Sequence, residues 1–128
     1  MDVLVVVDEP LVREMATEWL EEAGLHVAAA VNAEVALTAV SVPSSGPPPI
    51  LVTDVGRGSG GMSGITLAGE LRRRWPGLGV VIMADHEAEL ARCGPLAPQD
   101  RHLMKPFAPA ALVQAVRELT VPATASGR

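Results

Sequence analysis

An α/β fold, with a parallel sheet covered on both faces by helices, is what this sequence predicts, and three observations predict it. Short strand-like runs alternate with amphipathic helical segments along the whole chain, five pairs within 128 residues. The first run, residues 3–7, is Val-Leu-Val-Val-Val with no polar position, the pattern of a strand buried on both faces. The chain is also long enough, and at 48% hydrophobic apolar enough, for one core and one domain. With two Trp, one Phe and no Tyr, that core is aliphatic, which suits helix-on-sheet packing.

The elements follow in order. Asp8-Glu9-Pro10 ends the first strand. Leu11, Met15, Trp19 and Ala23 then recur at helical spacing beside Val12, Ala16 and Leu20, and Gly24 stops the helix. Residues 26–31 form a second strand, and Asn32 is an N-cap for a helix over 33–41. The stretch 43–49, with Pro47, Pro48 and Pro49 in a row, excludes helix and central strand and is a surface connection. Residues 50–54 make the third strand, followed by a glycine-rich loop to Gly64. A helix over 65–75 carries Leu67, Ala68, Leu71 and Trp75 and stops before Pro76. The fourth strand is 80–84, a short helix covers 86–92, and the fifth strand is 101–104. Pro109 opens a last helix bearing Leu112, Val113, Val116 and Leu119. The domain is expected to span 1–121, with 122–128 as a patternless tail. Strands that alternate with helices need crossover connections and hence a parallel sheet. Five units give a flavodoxin-like, doubly wound (βα)5 fold with strand order 2-1-3-4-5.

Composition excludes several functions. A net charge of −5 argues against nucleic-acid binding, and Arg72-Arg73-Arg74 reads as a solvated helix face. The lone Cys93 forms no internal disulfide and has no metal-ligand spacing around it, which fits a reducing compartment. No apolar run reaches the ~20 residues that a bilayer needs, and the apolar start is too short for a signal-peptide core. A cytoplasmic protein without membrane contact is the expectation.

In such a sheet the ligand site lies beyond the carboxyl ends of the strands, between strands one and three. Asp8 ends strand one, Asp54 ends strand three and Lys105 ends strand five. Two carboxylates and an ammonium thus meet at one crevice. Mg²⁺ suits them, since it binds through one or two carboxylates and bridges to phosphate. A carboxylate can also act as a nucleophile that forms an aspartyl phosphate, with Lys105 as a point charge on it. Strand-end aspartates that only cap turns remain the alternative.

Residues 3–13, Val-Leu-Val-Val-Val-Asp-Glu-Pro-Leu-Val-Arg, resemble the opening of response-regulator receiver domains. Leu51-Val52-Thr53-Asp54-Val55 is similar to their phosphoacceptor strand, Gly61-Met62-Ser63-Gly64 to the close of the next loop, and Leu103-Met104-Lys105-Pro106-Phe107 to their lysine segment. The resemblance runs from about residue 3 to 119. It implies a two-component signalling module, not an enzyme, in which Asp54 takes a phosphoryl group from a sensor histidine kinase or phosphotransfer protein. It further implies that Asp8, Asp54 and the Gly56 carbonyl hold Mg²⁺, that Lys105 contacts the phosphoryl oxygens, and that the Lys105–Pro106 bond is cis. A downstream protein partner, and pairing of two copies through the last helices, belong to the same expectation. So do two forms of the chain, a stand-alone receiver or a piece of a larger regulator.

Three positions depart from that pattern. Val7 stands where the family has a second acid beside Asp8. Ala84 replaces a Ser or Thr at the end of strand four and has no hydroxyl to donate. His102 occupies the aromatic switch position on strand five; a protonated imidazole could donate to the phosphoryl group, or the residue could make no such contact. The loop after Asp54 is also longer and richer in glycine than in the family, and Arg57 within it could reach an incoming phosphate. These departures keep open a second reading, a pseudo-receiver that binds proteins without phosphorylation. Gly56-x-Gly58-x-x-Gly61 matches a dinucleotide fingerprint, with Asp85 as the ribose acid, but Asp54 would repel the pyrophosphate and the helix begins too late. His26, His86 and His102 are too scattered in sequence to argue a metal cluster, and Met62, Met83 and Met104 read as core residues.

Overall fold

The computed structural model describes residues 2–41, 50–55, 63–85, 87–91, 98–105 and 107–120. The elements run β1 (Val3–Val6), α1 (Pro10–Glu22), β2 (Val27–Ala30), α2 (Ala33–Ser41), β3 (Ile50–Asp54), α3 (Gly64–Arg74), β4 (Gly79–Ala84), α4 (Glu87–Ala91), β5 (Asp100–Met104) and α5 (Pro109–Thr120). The strands form one sheet in the order β2-β1-β3-β4-β5, and every pairing is parallel. This is the flavodoxin-like arrangement that the sequence predicts. The expected tail at 122–128, the proline-rich stretch 43–49, the loop from Gly56 through Arg57 to Met62, His86 and Cys93 lie outside the described residues.

Local chemistry sets the element ends. Pro10 occupies the first turn of α1, where its missing N–H costs nothing. Gly24 ends the helix at φ 92, a left-handed conformation that favours glycine. Asn32 Oδ1 accepts from the Val35 N–H at 2.8 Å and caps α2 as expected. Ser63 Oγ accepts from the Thr66 N–H at 3.1 Å, so α3 begins at Gly64, one residue ahead of the expected 65.

Strand alternation divides the core between two faces. Val3, Val5 and Val7 join Val52 and Met83 under α1 and α5, against Ala16, Leu20, Leu112 and Val116. Leu4, Val6, Leu51, Val80 and Ile82 pack on the other face beneath Ala33 and Ala36 of α2 and Leu67 and Leu71 of α3. Each fully buried valine or leucine contributes about 1.5–3 kcal/mol relative to exposure. Among the described residues no helix is long and apolar enough to cross a membrane.

Three sequence expectations need correction. Leu11 and Met15 are 69% and 37% exposed, because α1 turns Ala16 and Leu20 to the sheet instead. Met104 is 37% exposed at the end of the edge strand β5, whereas Met83 on central β4 is buried as expected. Arg72 does not belong to a solvated face. Its Nη2 lies 2.6 Å from Asp100 Oδ1 and donates to the Leu78 carbonyl at 2.9 Å, tying α3 to the start of β5. The Asp100 side chain is only 11% exposed, so losing its cation leaves a carboxylate short of solvent. Arg72→Ala is therefore expected to lower stability by about 2 kcal/mol. Urea unfolding would show a lower midpoint at unchanged slope, and an unchanged midpoint would refute the assignment. The more exposed Arg73–Glu70 pair is worth only a few tenths of a kcal/mol by comparison.

Candidate functional site

The parallel register decides what meets at the carboxyl rim of the sheet. Val6 of β1 pairs with Thr53 of β3, so the next step brings Val7 opposite Asp54 and sets Asp8 one residue further out. Neighbouring strands are about 4.8 Å apart, so the backbones of Asp8 and Asp54 reach the same rim of the sheet. On its other side Asp54 pairs with Met83 of β4. By alternation Asp54 shares a face with Val52, the face that carries α1 and α5.

Lys105 arrives from the far strand. Ala84 pairs with Met104, and the Lys105 N–H donates to the Ala84 carbonyl at 2.8 Å, which continues the ladder one step beyond β5. The Lys105 side chain is 14% exposed, and its Nζ lies 3.7 Å from Glu9 Oε1 and 3.8 Å from Asp85 Oδ1. At those lengths both contacts are ion pairs rather than tight hydrogen bonds. The ammonium is thus held at the rim between two acids that the sequence pattern assigned no such role. The signal that could have found them is adjacency: each follows a buried strand by one to three residues.

Beside Lys105 is an apolar cavity of about 370 Å³, lined by Val12, Met15 and Trp19 of α1 with Asp85, Lys105 and Phe107. The Trp19 and Phe107 rings meet edge to face with centroids 6.3 Å apart. A side chain of α1 is tied to the same rim, since Arg13 Nη1 donates to the Val7 carbonyl at 2.7 Å.

The remaining candidates are distributed as follows. Asp8 is exposed, and Asp54 is half-buried. Val7 is 0% exposed and belongs to the α1/α5 core, so an aliphatic side chain fills the position opposite Asp54. Ala84 is 1% exposed within the α2/α3 core. His102 pairs with Ile82 of that same core, and its Nε2 is buried without a hydrogen-bond partner among the described residues. The sheet therefore separates the faces of His102 and Lys105. Gly56 and Pro106 lie outside the described residues.

As a metal site the rim offers oxygen donors of the hard type, the carboxylates of Asp8 and Asp54. Among the described residues no group of three or more His, Cys, Asp or Glu is gathered to hold an ion. Two carboxylates fit Mg²⁺, which keeps waters and shares phosphate oxygens, and do not fit a closed protein cage.

Comparison with known proteins agrees with this fold. The family model for the response regulator receiver domain matches residues 3–117. A response regulator receiver protein from Sinorhizobium medicae superposes with TM-score 0.80 at 28% identity, covering 93% of each chain. The response regulator TrrA from Thermotoga maritima, solved in complex with Mg²⁺-BeF, superposes at 0.77 with 28% identity, over 93% of this chain and 99% of that one. The receiver domain of NtrX from Brucella abortus gives 0.75 at 25% identity, over 92% and 97%. A search of curated proteins finds no match.

Proposed function

Because this chain belongs to the response regulator receiver domain family, we propose that it works as a phosphorylation switch with Asp54 as the acceptor. The donor is a phosphohistidine on a sensor histidine kinase or phosphotransfer protein. An Oδ of Asp54 attacks phosphorus and the P–N bond breaks. The bonding pair leaves on the donor imidazole, whose other nitrogen keeps its proton. Asp8, Asp54 and the carbonyl of Gly56 would hold Mg²⁺, which when bound offsets charge on the phosphoryl oxygens. Lys105 exchanges Glu9 and Asp85 for the phosphoryl oxygens, and its charge then favours the phosphorylated state.

The observation that supports this reading is the register, in which Asp54 ends β3 while Asp8 and Lys105 follow β1 and β5 at the same edge of the sheet. The partner side has its own support. A donor protein must approach from that rim, and there exposed Leu11 and Met15 and the apolar cavity beside Lys105 offer a surface for it. The output passes by protein contact in the cytoplasm, where added negative charge shifts the packing of α4, β5 and α5. His102 within β5 is the switch position in this scheme, with Ala84 two residues beyond its cross-strand partner Ile82 on β4.

A pseudo-receiver that binds partners without phosphorylation is the second reading, favoured by one observation: buried Val7 stands directly opposite Asp54. One experiment separates the two. The chain is incubated with Mg²⁺ and acetyl phosphate, and intact masses are taken for wild type and Asp54→Asn. One phosphoryl adduct on wild type and none on the variant is the expected result. No adduct on either would discard the acceptor reading in favour of the binding module.

A further inference from the structure

Thr53 is the one polar residue fully buried in the core among the described residues, 1% exposed between aliphatic neighbours. Valine has nearly its shape and fills the adjacent strand position, so a hydroxyl here is costly unless it is bonded. It is bonded forward: Thr53 Oγ1 donates to the Asp54 carbonyl at 2.9 Å. That carbonyl belongs to the peptide leaving the acceptor residue.

The same peptide is enclosed from α3. A Cβ built on Gly64 would fall on the Asp54 carbonyl oxygen and 2.6 Å from Thr53 Oγ1. The Gly64 N–H donates to the Val55 carbonyl at 3.0 Å, and the Ser63 cap fixes where α3 begins. Between these two anchor points run residues 56–62, four of them glycine.

We infer that Thr53 is a positioning residue for the acceptor: its hydroxyl latches the Asp54 carbonyl against Gly64 and so sets the direction from which Asp54 attacks. The inference rests on the phosphoacceptor reading and adds to it a residue on the opposite sheet face from the reacting carboxylate. In-line transfer is sensitive to small misplacement, so a freed peptide plane reaches the rate.

Thr53→Val and Thr53→Ser test it with two readouts. The first is the carbonyl ¹³C resonance of Asp54 in the unphosphorylated, metal-free protein; the second is the rate of phosphorylation by acetyl phosphate with Mg²⁺. The valine variant is expected to move that resonance and to slow phosphorylation about fivefold, the factor of one neutral hydrogen bond. Serine restores both. Thr53→Ala gives the same readings if the valine variant does not fold. Either readout unchanged on loss of the hydroxyl overturns the latch. If wild type takes no phosphoryl group, the acceptor reading fails separately, and the carbonyl resonance alone decides whether Thr53 holds Asp54.

Discussion

Val7→Asp is expected to raise Mg²⁺ affinity about tenfold or more and, without metal, to lower stability by about 3 kcal/mol. Both effects have one origin. Val7 is 0% exposed and stands opposite Asp54 in the register, so a carboxylate there loses water and faces a like charge. It also forfeits the apolar burial that Val7 contributes to the α1/α5 core. A divalent cation reverses the balance, because three carboxylates around it replace repulsion with attraction. Trp19 lines the cavity that contains Lys105 and gives a fluorescence signal for the titration. Urea unfolding with and without Mg²⁺ completes the measurement. Equal Mg²⁺ affinity in the two proteins would mean that position 7 does not face the metal, and the rim described above would need redrawing.

Gly64→Ala carries the other large effect, a loss of about 3 kcal/mol together with impaired phosphorylation. The added methyl would occupy the space of the Asp54 carbonyl oxygen, a backbone atom that cannot swing aside as a long side chain can. Relief requires either α3 to slide away from β3 or the Asp54 peptide to turn. The first costs packing of Leu67 and Leu71, both 0% exposed. The second breaks the Thr53 hydroxyl bond and misdirects the acceptor. Gly69 is the control, since a Cβ there meets nothing within 4 Å. At that exposed helical site alanine should raise stability by somewhat under 1 kcal/mol. Chemical unfolding of the two variants checks both signs, and equal stabilities would contradict the close approach at Gly64.

Much of the fold was legible because local rules and tertiary burial agree. The apolar run at residues 3–7 is what a strand covered on both faces requires, and Asn32 and Gly24 punctuate the helices by side-chain and backbone chemistry that needs no neighbours. Legibility stopped where three-dimensional proximity decides. Periodicity made Leu11 and Met15 as good a core line as Ala16 and Leu20, and only the seat of α1 on the sheet chooses between them. The three consecutive arginines looked alike in sequence; Asp100, twenty-eight positions beyond Arg72, singles that one out.

The site divides in the same way. Asp8, Asp54 and Lys105 stood out because each closes or follows a strand-like run in the sequence and because the family motifs surround them. Glu9 and Asp85 as partners of Lys105 required the ladder beyond β5 and the rotamer of a long side chain. Thr53 gave no signal at all, since a threonine is at home in any strand. Its importance comes from the glycine across from it. Val7 was visible as a departure from the motif, but its placement directly opposite Asp54 follows only from the register.

The central claim is that Asp54 carries the phosphoryl group, and it is tested most directly by locating the modified residue. Protein treated with Mg²⁺ and acetyl phosphate is reduced with borohydride, which converts an acyl phosphate to the alcohol, and is then digested and sequenced by tandem mass spectrometry. Homoserine at position 54, absent without the phosphodonor, is the predicted result. Homoserine at another carboxylate, or unmodified aspartate at 54 in a sample whose intact mass shows the adduct, would contradict the account.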